Sequence, residues 1–220
     1  MQFDIQKSKM QYNSNRSLGY LVIRDIVVQG TPPSLAQEFF HLQIEAAKFY
    51  NIDELMDIPP IVGVRSLKKV EFNPVRHTTA SEEVVRRVLQ RKGVHYVNSA
   101  VAVANYCAIK FLLPFGLYDL DQIVGNISCQ LDAEGNCKKD KSNSLHNVTP
   151  FLVDDKGIFG NPMADAARTA VTLATRNILV VIYADEEVEK EELKKILTVT
   201  SEMMVCYNGG SVEKNSILEV

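Results

Sequence analysis

A nearly all-apolar stretch that ends at a proline constrains the fold of this chain most. Between residues 100 and 113, only Asn105 and Lys110 interrupt the apolar side chains. A helix that is apolar on every side has to be buried, and Asn98 or Ser99 can cap its first turn. Pro114 and Gly116 are expected to end the helix, because helices rarely run past the residue before a proline. The sequence therefore predicts one buried helix at the centre of the molecule.

The residues after this helix predict a stiff, polar corner. Asp119 and Gln122 have the spacing of a capping box for a single turn, and Gly125 can close that turn. Asp119 and Asp121 are most simply cap and turn residues, because no partner base supports acid–base work. Tyr118 is expected in the core, with its hydroxyl reaching a polar neighbour. Function is sought first at this corner.

Elsewhere the sequence predicts helices in the first half of the chain and short strands in the second. A strand is expected over 18–28, with a bend near Arg24 and Asp25. Ser34 and Gln37 have capping-box spacing for a helix that ends near Asn51. Its apolar face is formed by Leu35, Phe39, Leu42, Ala46 and Phe49. The other predicted elements are helices over 59–70, from Ser81 to Gly93 and from Asp185 to Gly209, strands over 126–131 and 178–184, and a hairpin over 151–159.

The order of these elements favours an α+β fold. Helices and strands do not alternate in the βαβ order that a doubly wound parallel sheet requires. The sequence shows no internal repeat and no long linker. Residues 1–220 are therefore expected to form a single compact domain, with the oligomeric state left open.

The net charge and the absence of several sequence motifs limit the classes of function that this chain can have. A net charge of −3 argues against a strongly basic nucleic-acid binder, although a local basic patch is compatible with it. Six basic residues fit either a phosphate-backbone footprint or ordinary solvated helix faces: Lys68, Lys69, Arg86, Arg87, Arg91 and Lys92. The sequence contains no GxxxxGK, GxGxxG, HExxH or GxSxG motif, and its histidines lack metal-ligand spacing. We therefore expect neither a cofactor nor a bound metal.

The sequence also predicts a cytoplasmic protein that does not enter membranes. No apolar run approaches the roughly 18 residues that a membrane span needs. Residues 1–10 lack the apolar segment of a signal peptide. The four cysteines show no CxxC spacing, which favours reduced thiols over a disulfide framework.

A polar set in the second half of the chain admits two interpretations. Two guanidiniums and three hydroxyls fall within nine positions, on Arg168, Thr169, Thr172, Thr175 and Arg176. Together they could grip a phosphate or a carboxylate, since arginine makes two-pronged contacts with such groups. Alternatively, the set belongs to an ion-paired loop in which Asp165 or Asp119 is the partner of Arg168. The role of Asn105 also has two interpretations, because a buried side-chain amide can form its hydrogen bonds with either a neighbouring loop or a ligand.

The central stretch resembles a known family. Asn105, followed by Tyr118-Asp119-Leu120-Asp121-x-Ile123-x-Gly125, is similar to the tRNA-binding and editing domain of the phenylalanyl-tRNA synthetase beta chain, and particularly to its free-standing relatives. Other stretches agree over roughly 18–207: 81–89, 113–116, 167–169 and 175–177. The resemblance implies a β-sandwich-like core of mixed sheets flanked by helices. Neither an aminoacylation core nor an anticodon-binding domain is evident.

The resemblance also implies a pocket, from which this sequence departs. In the synthetase, this domain hydrolyses the ester of tyrosine wrongly attached to phenylalanine tRNA. Asn105 matches the pocket asparagine, but Gly116 stands at the position of the turn histidine and Ala104 at that of a threonine. The position of the late-strand glutamate falls near Val181. Glycine at the turn is typical of the free-standing relatives, so the synthetase's own editing chemistry is not expected in that form.

Two functions remain for this sequence. The first is binding of tRNA or aminoacyl-tRNA, with hydrolysis of a mischarged ester by a water that substrate and backbone groups hold. The second is binding of an amino-acid-like small molecule by a chain that no longer binds or edits tRNA. The candidate binding residues for either function are Asn105, Gly116, Tyr118, Asp119, Arg168, Thr169, Thr175 and Arg176.

Overall fold

Two four-stranded sheets face each other, and helices cover the outer side of one of them. In this computed structural model, the described residues are 5–7, 17–58, 80–132, 149–185 and 187–219. The strands are β1 Ile5–Lys7, β2 Ser17–Arg24, β3 Phe115–Asp119, β4 Ile127–Asp132, β5 Thr149–Asp154, β6 Gly157–Gly160, β7 Ile178–Ala184 and β8 Ser211–Glu219. The α-helices are α1 Pro33–Phe49, α2 Ala80–Leu89, α3 Ser99–Phe111 and α4 Lys190–Asn208, with short 3₁₀ helices at Ile52–Asp57, Leu120–Gln122 and Ala167–Thr169.

The strand order builds one antiparallel sheet and one mixed sheet. The first has the order β3-β7-β2-β8 and the second the order β1-β4-β5-β6, in which β1 and β4 run parallel. All seven residues of β7 are buried, as its unbroken apolar sequence predicts. Buried side chains of β1 to β7 form one cluster between the sheets, and the partly buried Leu218 of β8 packs against it. The predicted α+β fold with a sandwich-like mixed core is confirmed.

The opposite face of the first sheet packs against α3 and α4. Ala104, Cys107 and Ala108 of α3 join β2 and β7 side chains in a second buried cluster. The Asn98 carboxamide oxygen accepts a hydrogen bond from the Val101 amide at 2.9 Å, so the predicted cap is confirmed. The helix ends at Phe111, where Leu112 takes a left-handed conformation with a φ of 57°. Gly116 does not end the helix or lie in a turn, because it belongs to strand β3.

Two predicted helix starts are wrong. Pro32 occupies the cap position of α1 and makes no side-chain cap bond, so Ser34 lies inside the helix. Proline at the first helical position fixes φ and removes an amide that would need a partner, which makes the serine cap unnecessary. The last helix begins at Lys190, and the backbone oxygen of Asp185 instead closes a turn with the Val188 amide.

Other differences concern helix faces and strands. Leu35, Phe39 and Ala46 of α1 are buried as predicted, whereas Phe49 is 79% exposed at the helix end. Strands β1, β3 and β8 were not predicted, and the helix predicted over 59–70 lies outside the described residues. Among the helices that the structure describes, none has both the length and the apolar character to cross a membrane.

Candidate functional site

The polar corner after β3 is held by Asp119. Its Oδ2 accepts a 2.6 Å hydrogen bond from Thr175 Oγ1, and its Oδ1 accepts one from the Asp121 amide at 3.1 Å. Thr175 Oγ1 in turn accepts a bond from the Thr172 amide at 2.9 Å. Asp119 therefore caps the 3₁₀ turn as predicted, but through Asp121 and not through a box with Gln122. Asp119 and Thr175 are 6% and 2% exposed, so this contact locks the loop before β7 to the end of β3.

Arg168 makes a two-pronged ion pair with a carboxylate that the sequence did not suggest. Its Nη1 and Nη2 donate to Asp154 at 2.9 and 2.7 Å, and Nη2 also donates to the Gly157 carbonyl at 3.1 Å. Burial alone would raise the pKa of the Asp154 carboxyl, but hydrogen bonds from Arg168 and two backbone amides hold that pKa below its usual value. The guanidinium also lies 5.8 Å from the Phe159 ring centroid. Because Asp154 Oδ2 also accepts a hydrogen bond from the Val124 amide at 2.9 Å, Arg168 and Asp154 together tie the β5–β6 hairpin to the corner.

The rest of the predicted polar set makes short-range contacts. Thr169 is fully buried, and its hydroxyl donates to the Ala166 carbonyl at 3.1 Å. Arg176 is exposed, and its Nη1 donates to the carbonyls of Leu173 and Thr175 at 3.3 and 3.0 Å. These contacts give each side chain a structural role. The anion-binding role of the set stays a prediction.

Tyr118 is the centre of a second polar cluster, between the two sheets. Its hydroxyl donates to Asp165 Oδ1 at 2.6 Å and lies 3.1 Å from the Tyr183 hydroxyl. Its ring meets Phe159 edge-on, with centroids 5.0 Å apart. A Cβ on Gly116 would lie 2.3 Å from Tyr118 Oη, and one on Gly160 would lie 2.0 Å from it. The two glycines therefore make room for this tyrosine.

The surroundings of this cluster raise the pKa values of both Tyr118 and Asp165. Burial, Tyr183 and Asp165 raise the pKa of Tyr118 well above its ordinary value, so its hydroxyl remains a donor. Residue 165 as a whole is exposed, yet its carboxyl is turned toward the buried tyrosines. Partial burial raises the pKa of this carboxyl to about 6, against the lowering effect of the Tyr118 and Leu117 hydrogen bonds. Asp165 thus titrates near neutral pH at the rim of the sheet interface.

Sequence reasoning did not find Gly160, Asp165 or Tyr183 as neighbours of Tyr118. The residues come from β6, the loop after it and β7, and they meet only because the two sheets pack together. The one local signal is the placement of Leu179, Val181 and Tyr183 at alternate positions of β7, which puts them on the same sheet face.

Residues 66–207, well over half of the chain, match the sequence model of the B3/4 domain. The chain belongs to the B3/4 domain family. This is a domain of the phenylalanyl-tRNA synthetase beta chain, so the resemblance identified from Asn105 and residues 118–125 is confirmed.

Two further comparisons describe relatives of this B3/4 chain. "Uncharacterized protein YhzB" of Bacillus subtilis (strain 168) is 23% identical over 134 residues, which are 61% of this chain and 59% of that protein. An N-terminal fragment of the phenylalanyl-tRNA synthetase beta-subunit from Pyrococcus horikoshii aligns with 96% of this chain at 12% identity and a TM-score of 0.38. The alignment covers 52% of that fragment. The chain thus spans less than two thirds of either relative.

The B3/4 fold brings two of the implied pocket positions together. Gly116 on β3 pairs directly with Val181 on β7, and the face they share is filled by Tyr118, Leu179 and Tyr183. Neither position can donate or accept a proton through its side chain. Ala104, beside Asn105 on α3, is buried on the opposite face of the same sheet.

Asn105 itself keeps an unused amide. The residue is half-buried on α3, and its side chain makes no hydrogen bond within the part of the chain that the structure describes. A separate, open depression of about 440 Å³ lies between α4 and β8 and contains none of the predicted residues. It is lined by Ser201, Glu202, Val205, Cys206 and Val212.

Proposed function

We propose that this B3/4 protein binds tRNA or aminoacyl-tRNA. The observation that carries the proposal is the match of residues 66–207 to the B3/4 domain of the synthetase beta chain. The fold is consistent with it, because the described residues form a two-sheet core with a layer of helices on one side. The net charge of −3 requires that phosphate contacts come from a local patch and not from the whole surface.

Hydrolysis of a mischarged ester is the finer form of this proposal. The paired positions Gly116 and Val181 supply neither an acid nor a base, and both lie on a filled sheet face. Hydrolysis would therefore depend on a water that the substrate and backbone amides hold, with those amides stabilising the developing oxyanion. Binding does not depend on this chemistry, so the two parts can be tested separately.

Gel-shift titrations at low salt test binding, with unacylated tRNA and a panel of aminoacyl-tRNAs as probes. We expect a saturable complex that weakens as salt rises, since released counterions drive phosphate contacts. Absence of a complex with every tRNA at low salt would overturn the proposal. A parallel assay that follows ester loss from the same panel decides whether hydrolysis accompanies binding.

The unpaired Asn105 amide favours one alternative, a small-molecule site for an amino-acid-like ligand. Within the described residues this half-buried amide has no protein partner, and such an amide can bond the carboxylate or amine of a ligand. Thermal-shift screening with free amino acids tests this: a shift seen with the wild type should disappear in Asn105→Ala. Asn126→Ala, which removes an exposed amide elsewhere, should leave the shift unchanged.

A further inference from the structure

One face of the helical layer exposes aromatic rings beside α1. Phe40 is 58% exposed and Tyr96 is 41% exposed, whereas most large apolar side chains of the described residues are buried. Tyr96 lies in the extended segment that joins α2 to α3. Exposed aromatic side chains of this size are costly to keep in water, and adjacent ones commonly mark a contact surface.

The Tyr96 ring is held against α1 by contacts at both its hydroxyl and its ring. Its hydroxyl donates to the Ala36 carbonyl at 3.3 Å and accepts from Gln43 Nε2 at 3.2 Å. Its ring meets the buried Phe39 with centroids 5.5 Å apart. Phe40 lies one helical turn after Ala36, whose carbonyl bonds Tyr96, so the helical spacing places both residues toward one side of α1. The two rings therefore form a positioned platform.

Cations lie close in sequence to Tyr96, although the chain as a whole is acidic. No Asp or Glu occurs between Glu83 and Asp119, while that stretch contains Arg86, Arg87, Arg91, Lys92 and Lys110. Arg91 and Lys92 are exposed just after α2, a few residues before Tyr96. Arg87 reaches the same segment, because its Nε donates to the Gly93 carbonyl and its Nη2 lies 3.1 Å from His95 Nε2.

The neighbouring acids point away from the rings. Glu38 and Glu45 of α1 project about 160° and 140° around the helix axis from Phe40, at 100° per residue. Glu83 lies in the first turn of α2, at the opposite end of that helix from Arg91. Within the described residues, the surface thus combines exposed aromatic rings with a local excess of cations, and Glu83 is the one acid of α2 that lies a helical turn from Arg87.

We propose that this aromatic–basic surface, formed by Phe40, Arg87, Arg91, Lys92 and Tyr96, binds unpaired nucleotides of RNA. The inference rests on the proposed RNA-binding function and names the surface that performs it. Bases stack on the Tyr96 and Phe40 rings, and the three cations contact the phosphates on either side. A duplex has its base faces covered, so the surface selects single-stranded RNA.

Fluorescence anisotropy with the full chain tests this surface. The probes are a single-stranded RNA of roughly 12 nucleotides, the same sequence as a duplex, and an unacylated tRNA. Phe40→Ala and Tyr96→Ala should each weaken single-strand binding by about fivefold to 150-fold, the range typical of a lost stacking contact. The double variant Arg91→Glu/Lys92→Glu should flatten the log–log salt dependence by about 1.4.

Matched controls separate the surface from general effects. Phe49→Ala removes another exposed ring of α1, and Lys195→Glu reverses an exposed charge on α4. Both should bind like the wild type. If the wild type binds neither single-stranded RNA nor tRNA, the RNA-binding function itself is overturned. If the wild type binds, but the Phe40 and Arg91/Lys92 variants match their controls or the duplex binds equally well, only this surface is overturned.

Discussion

Gly116→Ala is a substitution for which local and tertiary effects have opposite signs. Gly116 does not have a positive φ, so its backbone accepts alanine, and replacing a strand glycine would by itself stabilise by about 0.5–1 kcal/mol. The new Cβ, however, would lie 2.3 Å from Tyr118 Oη and 2.7 Å from two ring carbons. Tyr118 is fully buried between Phe159 and Asp165 and has no solvent to move into.

The crowding should outweigh the propensity gain. Overpacking a core costs about 1–3 kcal/mol, and pulling the hydroxyl away from a carboxylate adds about 1.5–3 kcal/mol. After subtracting the strand preference of about 0.5–1 kcal/mol, we expect the free energy of unfolding to fall by about 1.5–5.5 kcal/mol. Urea unfolding followed by far-ultraviolet circular dichroism measures this as a lower midpoint. Circular dichroism is the suitable probe because the chain contains no tryptophan.

Gly30→Ala is the matched control for this prediction. A Cβ on Gly30 would meet nothing within 4 Å, and its φ is not positive, so its midpoint should stay the same or rise slightly. Adding Tyr118→Phe to Gly116→Ala should recover part of the loss, because it removes the closest of the three contacts. Equal midpoints for Gly116→Ala and Gly30→Ala would refute the packing explanation of the glycine.

Three other substitutions probe the cap and the two polar clusters. Arg168→Ala should lower the free energy of unfolding by about 2–3 kcal/mol in urea, because the buried Asp154 keeps only its two backbone amides; no change would contradict the ion-pair role. Asp165→Asn should flatten the pH dependence of the melting temperature. Because the pKa of Asp165 is raised to about 6 in the folded state, its carboxyl contributes fully to stability below the unfolded-state pKa of 3.8, and this contribution is lost as pH rises through 6. An unchanged dependence of the melting temperature on pH between 3.8 and 6 would contradict this role of Asp165. Asn98→Ala removes the cap of α3 and should lower the free energy of unfolding, measured by calorimetry, by about 1 kcal/mol. An unchanged free energy of unfolding would mean that water replaces the capping side chain.

The sequence predicted best where a long apolar pattern leaves one solution. The buried helix, its Asn98 cap and strand β7 depend on runs of apolar residues that can only be interior. Caps were less predictable. Ser34 has the right spacing, but Pro33 already starts α1, and a capping box cannot form inside a helix. Strand β8 escaped prediction because it is an edge strand with many exposed charges and weak alternation.

The candidate site was predictable only in its local part. Asp119 follows from turn chemistry close to it in sequence, and the structure confirms it as a cap. The partners of Tyr118 and Arg168 lie far away in sequence, on β5, on β7 and in the loop after β6, and no sequence spacing reveals them. The resemblance placed Gly116 in a turn, whereas strand pairing with Val181 determines its conformation. Tertiary packing thus explains the glycine better than turn geometry does.

Photo-crosslinking of an unacylated tRNA to the intact protein, followed by peptide mapping, tests most directly whether this B3/4 chain binds RNA through its helical layer. We expect crosslinks to the α1 segment that contains Phe40 and to the segment that contains Tyr96, and their loss at high salt. Saturable binding with crosslinks confined to α4 and β8, or no crosslink at low salt, would contradict it.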